Sequence, residues 1–351
     1  MIKTCTFRFL PLVLCISSIA SAQQNKLNAY NYKTHKIVSC KQGAVVSAHA
    51  LASQIGVNIL KEGGNAVDGA IATQLALAVV YPDAGNIGGG GFMVAHLSTG
   101  KDIAIDYRET APAASSRDMY LDANGNPQMQ LSQDGRLAAG VPGTVAGIFA
   151  AVKYAKRPFK KLIQPAIDLA ERGFAISASQ AESFNYYKKE FLTLKSTPPV
   201  FVKNIGWKEG DTLIQTDLAN TLKRIRDKGA KGFYEGETAK LIVAEMSKGQ
   251  GIITEDDLKN YKAREREPVV FQYRGNTIIT MPLPSSGGSI LEPRLKMWDR
   301  KSLGDMKFET GRSVQQMTEV KRRAYAARAK FLGDPDLVKG PVKTLVSDGY
   351  R

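Results

Sequence analysis

Residues 66–108 read AVDGAIATQLALAVV-YPDAGNIGGGG-FMVAHLSTGKDIAIDYR, and their order of helix, glycines and paired strands decides the fold class. Residues 66–80 are apolar nearly all round the helical repeat, through Ala70, Ile71, Ala72, Leu75, Ala76 and Val79, which predicts a buried helix. Asn65 can cap that helix, and Asp68 in its first turn suits the helix dipole. Tyr81-Pro82 ends it. The glycine cluster Gly85-Asn86-Ile87-Gly88-Gly89-Gly90-Gly91 then feeds an extended run from Phe92 to His96. Ser98-Thr99-Gly100 supplies a turn, and residues 103–108 return as a second strand. A dinucleotide fold runs the opposite way, from strand through glycines into helix, and Met93 stands where a third fingerprint glycine would fall.

Outward from this stretch the same alternation continues. Helical spacing predicts helices over residues 49–61, 144–156, 160–172, 217–228 and 237–248, with Gly63-Gly64 stopping the first and Gly173 the third. Thr254-Glu255-Asp256-Asp257 has the form of a capping box and opens a short helix. Residues 269–273 and 277–281 read as a hairpin around Arg274-Gly275-Asn276, and a long helix is expected over residues 313–330. Helix pairs flanking glycine-turned hairpins, with no repeat or linker tract, predict one α+β layered domain.

Composition narrows the function class. The chain has 351 residues, 43% of them hydrophobic, with 48 Lys and Arg against 33 Asp and Glu for a formal charge of +15. Such charge invites a nucleic-acid reading, but Lys160-Lys161 and Arg322-Arg323 sit in helical stretches without interleaved aromatics, so they read as solvated faces. Three Cys exclude a disulfide scaffold, and His35 near Cys40 lacks a second Cys/His pair to complete a zinc site. Neither metal nor cofactor is expected. At the amino terminus, Lys3 and Arg8 precede a short apolar core and then Ala20-Ser21-Ala22, the three parts of a secretory signal over residues 1–22. The core is too short to span a bilayer, so a periplasmic or secreted protein of residues 23–351 is expected, without stable membrane insertion.

Local catalytic motifs are weak. Ser285-Ser286-Gly287-Gly288 follows Pro284 and is no nucleophile elbow; the spacing of Ser98 and Lys101 falls in a turn between strands, where no helical turn stacks the two side chains. The glycines of residues 88–91 either let backbones approach closely or cradle an anion, and Gly140-Val141-Pro142-Gly143 has the same two readings. Arg108 ends the returning strand. Its guanidinium suits a two-pronged grip on a carboxylate, but chemistry alone favours a structural ion pair with Glu109, Asp106 or Asp118.

Taken in order, several segments resemble one family. They are His49-Ala50-Leu51-Ala52-Ser53, then Gly63-Gly64-Asn65-Ala66-Val67-Asp68-Gly69-Ala70, then Gly88-Gly89-Gly90-Gly91-Phe92. Next come Asp106-Tyr107-Arg108-Glu109-Thr110-Ala111-Pro112, Gly140-Val141-Pro142-Gly143 and Pro284-Ser285-Ser286-Gly287-Gly288. Arg323-Ala324-Tyr325-Ala326-Ala327-Arg328 and Leu332-Gly333-Asp334-Pro335-Asp336 complete the set. The mature chain thus resembles the large-subunit portion of γ-glutamyltranspeptidase.

The resemblance implies an N-terminal-nucleophile hydrolase with an αββα layered sandwich, made as a self-cleaving proenzyme. It implies attack on glutathione or other γ-glutamyl compounds by the amino-terminal Thr of a small subunit from the same precursor, with water, amino acids or peptides as acceptors. Arg108 occupies the place of the family's α-carboxylate-binding Arg. No nucleophilic Thr of the family pattern is present, so no catalytic residue is assigned; the chain is expected to stop before the processing junction and to be inactive alone, as a fragment or a frameshifted gene. Residues 292–300 depart from the family, with Pro293 and surrounding charges expected to break an apolar helix. Two other readings are an acylase of the cephalosporin or glutaryl type and a non-catalytic periplasmic pseudoenzyme or binding protein.

Overall fold

A computed structural model describes residues 39–194, 199–300, 306 and 310–347; the expected signal segment lies outside them. The chain begins with α1 (Ala50–Lys61) and α2 (Ala66–Val80), then the hairpin β1 (Phe92–His96) and β2 (Asp102–Asp106). The short α3 (Met129–Gln133) precedes α4 (Thr144–Val152), α5 (Phe159–Arg172), β3 (Phe174–Ala175), α6 (Ala178–Tyr186), α7 (Lys188–Leu194) and β4 (Thr212–Leu213). Then come α8 (Thr216–Lys228), α9 (Lys231–Tyr234), α10 (Glu237–Ser247), α11 (Glu255–Asn260) and β5 (Arg264–Arg266). The hairpin β6 (Val269–Tyr273) and β7 (Asn276–Thr280) leads into α12 (Gly287–Arg300), α13 (Gly311–Phe331) and α14 (Val342–Leu345). Among the described residues the strands form one sheet in the order β1-β2-β5 and two two-stranded ladders, β3-β4 and β6-β7.

Helix α2 is the centre of the core, as its unbroken apolar surface requires. Ile71, Ala72, Ala76, Val79 and Val80 are sealed from solvent, against α1 on one side and α5 on another. Each large aliphatic side chain so buried contributes about 2 kcal/mol. At its start Asn65 and Asp68 form a reciprocal capping box. Asp68 does more than cap. Wholly buried, it accepts from the main-chain N–H of Asn65 at 2.7 Å, of Lys156 at 3.1 Å and of Arg157 at 2.9 Å. It therefore ties α2 to the segment between α4 and α5.

Helix α4 lies between this helical layer and the sheet, touching α2 on one side and β2 and β5 on the other. Strand β2 is central, flanked antiparallel by both neighbours, which is why Ile103, Ala104, Ile105 and Asp106 are all buried. It is one place where the sequence overshoots. The strand ends at Asp106, although Tyr107 and Gly91 still exchange two main-chain hydrogen bonds beyond it, and Arg108 stands two residues past the end.

Two further readings change. In the β6-β7 hairpin Arg274 (φ 47°) and Gly275 (φ 78°) both adopt left-handed backbone, which closes a two-residue turn and leaves Asn276 paired with Tyr273 inside the ladder. Pro293 was expected to break its helix, yet α12 runs through it from Gly287 to Arg300. The helix rests on α13 and on both strands of the hairpin, and a Glu292–Lys296 ion pair of 2.6 Å spans the next turn. Tertiary contacts on several sides outweigh the loss of one intrahelical bond.

Candidate active site

The glycine cluster, residues 106–112 and residues 140–143 come together around Arg108 because three glycines let the chain come close to two tyrosines. A side chain on Gly91 would meet the Tyr107 ring, and one on Gly147 would overlap that ring's base. A Cβ on Gly143 would fall inside both the Tyr107 carbonyl oxygen and the Tyr261 hydroxyl. The Gly89 carbonyl meanwhile accepts from the N–H groups of Gly143 (2.7 Å) and Thr144 (3.0 Å), capping α4. Asn86 Oδ1 takes the Gly89 N–H at 2.9 Å and the Thr144 hydroxyl at 2.6 Å. Close backbone packing, one of the two sequence readings of these glycines, is thus seen at Gly91 and Gly143. Gly143→Ala is expected to lower stability by about 2–3 kcal/mol, read as a shift in the denaturant midpoint, since neither the Tyr107 main chain nor the stacked Tyr261 ring can yield cheaply.

What that packing positions is Arg108. Its N–H donates to Asp106 Oδ1 at 3.1 Å, and its carbonyl accepts from the Tyr261 hydroxyl at 2.7 Å. Its side chain is exposed and lines a cleft of about 210 Å³ with Glu109, Tyr261, Arg264, Arg266 and Asp336 among the other walls. Among the described residues no ion pair engages the Arg108 guanidinium. The three partners considered from the sequence are otherwise placed. Asp106 is bound by Arg266 Nε at 2.8 Å, Asp118 lies against Arg117, and Glu109 beside the cleft forms no ion pair among the described residues.

Behind Arg108 stands a chain of alternating charge. Arg266 is nearly buried, its side chain 14% exposed, and it bridges Asp106 to Asp336, which it meets through both terminal nitrogens at 3.2 and 2.9 Å. Arg264 reaches the same Asp336 carboxylate at 2.8 Å. The Arg266 hydrogen bond holds the Asp336 carboxyl below its usual range, and burial pushes the Tyr261 and Tyr234 hydroxyls well above theirs. Both tyrosines are thus donors at neutral pH. Of the larger clefts, those of about 820 Å³ beside residues 42–47 and about 540 Å³ between α12 and α13 are lined by no carboxylate, while one of about 350 Å³ is lined by Glu265 and Glu267.

Sequence reading named Arg108 alone. Asp334 to Asp336 belong to a family motif with no role assigned, and Tyr261, Arg264 and Arg266 lie in no motif. Their only sequence signal is the charge-rich strand Arg264-Glu265-Arg266, which by itself reads as a solvated edge.

Comparison with known proteins fits this geometry. The family model described as Gamma-glutamyltranspeptidase matches residues 52–351. The chain belongs to that family. It is 45% identical over 320 residues to a glutathione hydrolase proenzyme from Escherichia coli (strain K12), covering 89% of this chain and 54% of that protein. The crystal structure of the Helicobacter pylori gamma-glutamyltranspeptidase superposes with a TM-score of 0.86 at 47% identity, over 90% of this chain and 91% of that one. The gamma-glutamyltranspeptidase from Pseudomonas nitroreducens, complexed with L-DON, superposes with a TM-score of 0.82 at 40% identity, over 89% and 93%. The α+β fold is thus that of the γ-glutamyltranspeptidase branch of the N-terminal-nucleophile hydrolases. The chain spans about half the length of the curated relatives it matches. Among the described residues no helix is long and apolar enough to cross a membrane, and no cluster of His, Cys, Asp and Glu has the form of a metal site.

Proposed function

We propose that this chain is the large-subunit part of an exported γ-glutamyltransferase or glutathione hydrolase, with residues 1–22 as its signal and residues 23–351 as one domain. The observation that carries the reading is the Arg108 guanidinium, which lines a cleft and has no ion-pair partner among the described residues, while Asp106 in the same cleft is already paired with Arg266. A cation so placed has charge to spare for a ligand. A γ-glutamyl compound offers a planar α-carboxylate, which two parallel N–H bonds from Arg108 match.

With the α-carboxylate held, the γ-amide would lie toward the nucleophile. That group is a Thr at the amino terminus of a segment beyond this chain, its own α-amine serving as base. Attack on the γ-carbonyl forms an ester and releases the amine, and water or an acceptor amino acid or peptide then takes the γ-glutamyl group. Arg108 stays bound throughout, so it fixes the glutamyl moiety in both half-reactions.

The test compares three anilides with the active protein, this chain together with its nucleophile-bearing segment. γ-L-Glutamyl-p-nitroanilide should exceed its α-amide analogue in kcat/KM by roughly 30-fold or more, the worth of a charge-assisted pair. Glutaryl-p-nitroanilide keeps the corresponding carboxylate and lacks only the α-amino group; a γ-glutamyl enzyme, which reads that amine as well, should turn it over more slowly than the γ-glutamyl compound. Equal turnover of the glutaryl compound would move the protein to the acylase class, and turnover by this chain alone would refute its dependence on the second segment.

A further inference from the structure

The Arg108 peptide is held at both of its polar ends by side chains, while among the described residues its own side chain has no ion-pair partner. The N–H is taken by Asp106 Oδ1 at 3.1 Å and the carbonyl by the Tyr261 hydroxyl at 2.7 Å. Asp106 is in turn immobilised by Arg266, and Arg266 by Asp336. Tyr261 is immobilised differently. Its ring stacks on Tyr234 with centroids 5.9 Å apart and planes within 6°. The Tyr234 hydroxyl is itself fixed, donating to the Pro142 carbonyl at 2.9 Å and accepting from the Ala146 N–H at 3.1 Å.

We propose that Tyr261 is a positioning residue for the carboxylate-binding guanidinium: together with Asp106 it clamps the Arg108 backbone and so sets where the unpaired side chain projects. Past the end of β2 the main chain pairs with Gly91 at Tyr107 and next with Val141 at Thr110; between these two points the Arg108 peptide is held by the Asp106 and Tyr261 side chains, whose loss would return backbone freedom to residue 108. A bidentate grip needs a fixed approach, and the clamp supplies it from the main chain without consuming the guanidinium. Burial keeps the Tyr261 hydroxyl protonated and donating across the neutral range. The inference rests on the function proposed above, in which Arg108 meets the substrate's α-carboxylate.

Tyr261→Phe removes one hydroxyl and leaves the ring stacked on Tyr234, so folding is not at stake. The readout is the ratio of kcat/KM for γ-L-glutamyl-p-nitroanilide to that for its α-amide analogue, measured with the active protein. In Tyr261→Phe this ratio should fall roughly 3- to 10-fold, with the loss in KM of the carboxylate substrate, as expected for one misdirected hydrogen-bonded grip. A purely structural defect lowers both substrates together and leaves the ratio where it was, which would overturn the clamp. If the unmutated protein itself does not discriminate the two substrates, the functional reading fails, and the clamp with it.

Discussion

Replacing Asp68 by alanine should destabilise this protein by about 4 kcal/mol, with a melting temperature lower by roughly 10 °C. The carboxylate is wholly buried and accepts from three main-chain N–H groups, on Asn65, Lys156 and Arg157. Alanine leaves these donors without a partner where water has little access, at a cost of about 1–3 kcal/mol each, offset in part where Lys156 can turn to solvent. Asp68→Asn keeps one acceptor oxygen and should lose about half as much. Chemical unfolding of the three proteins side by side measures the series. Equal midpoints for Asp68→Ala and the parent would show that the segment between α4 and α5 does not depend on this carboxylate.

Arg108→Ala should reduce kcat/KM for γ-L-glutamyl-p-nitroanilide by roughly 30- to 150-fold in the active protein, chiefly through KM. The physical reason is that no ion pair engages the guanidinium among the described residues. Its removal strips one charge-assisted bidentate contact from the substrate, worth about 2–3 kcal/mol, and breaks no internal ion pair whose loss would confuse the result. Arg108→Lys retains the charge as a single point and should fall between the two, because an ammonium cannot offer two parallel donors. Stability should change little in either variant, since the side chain is exposed. An unaltered KM in Arg108→Ala would remove this residue from the substrate site.

The two cases differ in how much of them the sequence carried. Asp68 was legible as a helix-opening residue, because a cap and its box are set by spacing of three residues. Its second task was not, since the Lys156 and Arg157 amides lie 88 and 89 positions away. Arg108 was legible as a carboxylate anchor only through the ordered motifs of the family. Chemistry alone favoured an ion pair, and that question turned on where Arg266 lies, 160 residues from Asp106. Pro293 errs the other way. Local propensity argued for a broken helix, and contacts with α13 and the β6-β7 hairpin kept it whole.

By itself the sequence determined what depends on near neighbours: the buried α2 with its cap, the glycine-led β1-β2 hairpin, the amphipathic α5 and α8, and hence an α+β fold. It also determined the family, because motifs in a fixed order need no coordinates. Tertiary structure alone decided which charges cancel. Coulombic pairing acts over a few ångströms in space and is indifferent to distance along the chain. Thus β5 beside β2 commits Asp106 to Arg266, the residues after α13 commit Asp336 to both arginines, and among the described residues Arg108 is left with no ion-pair partner.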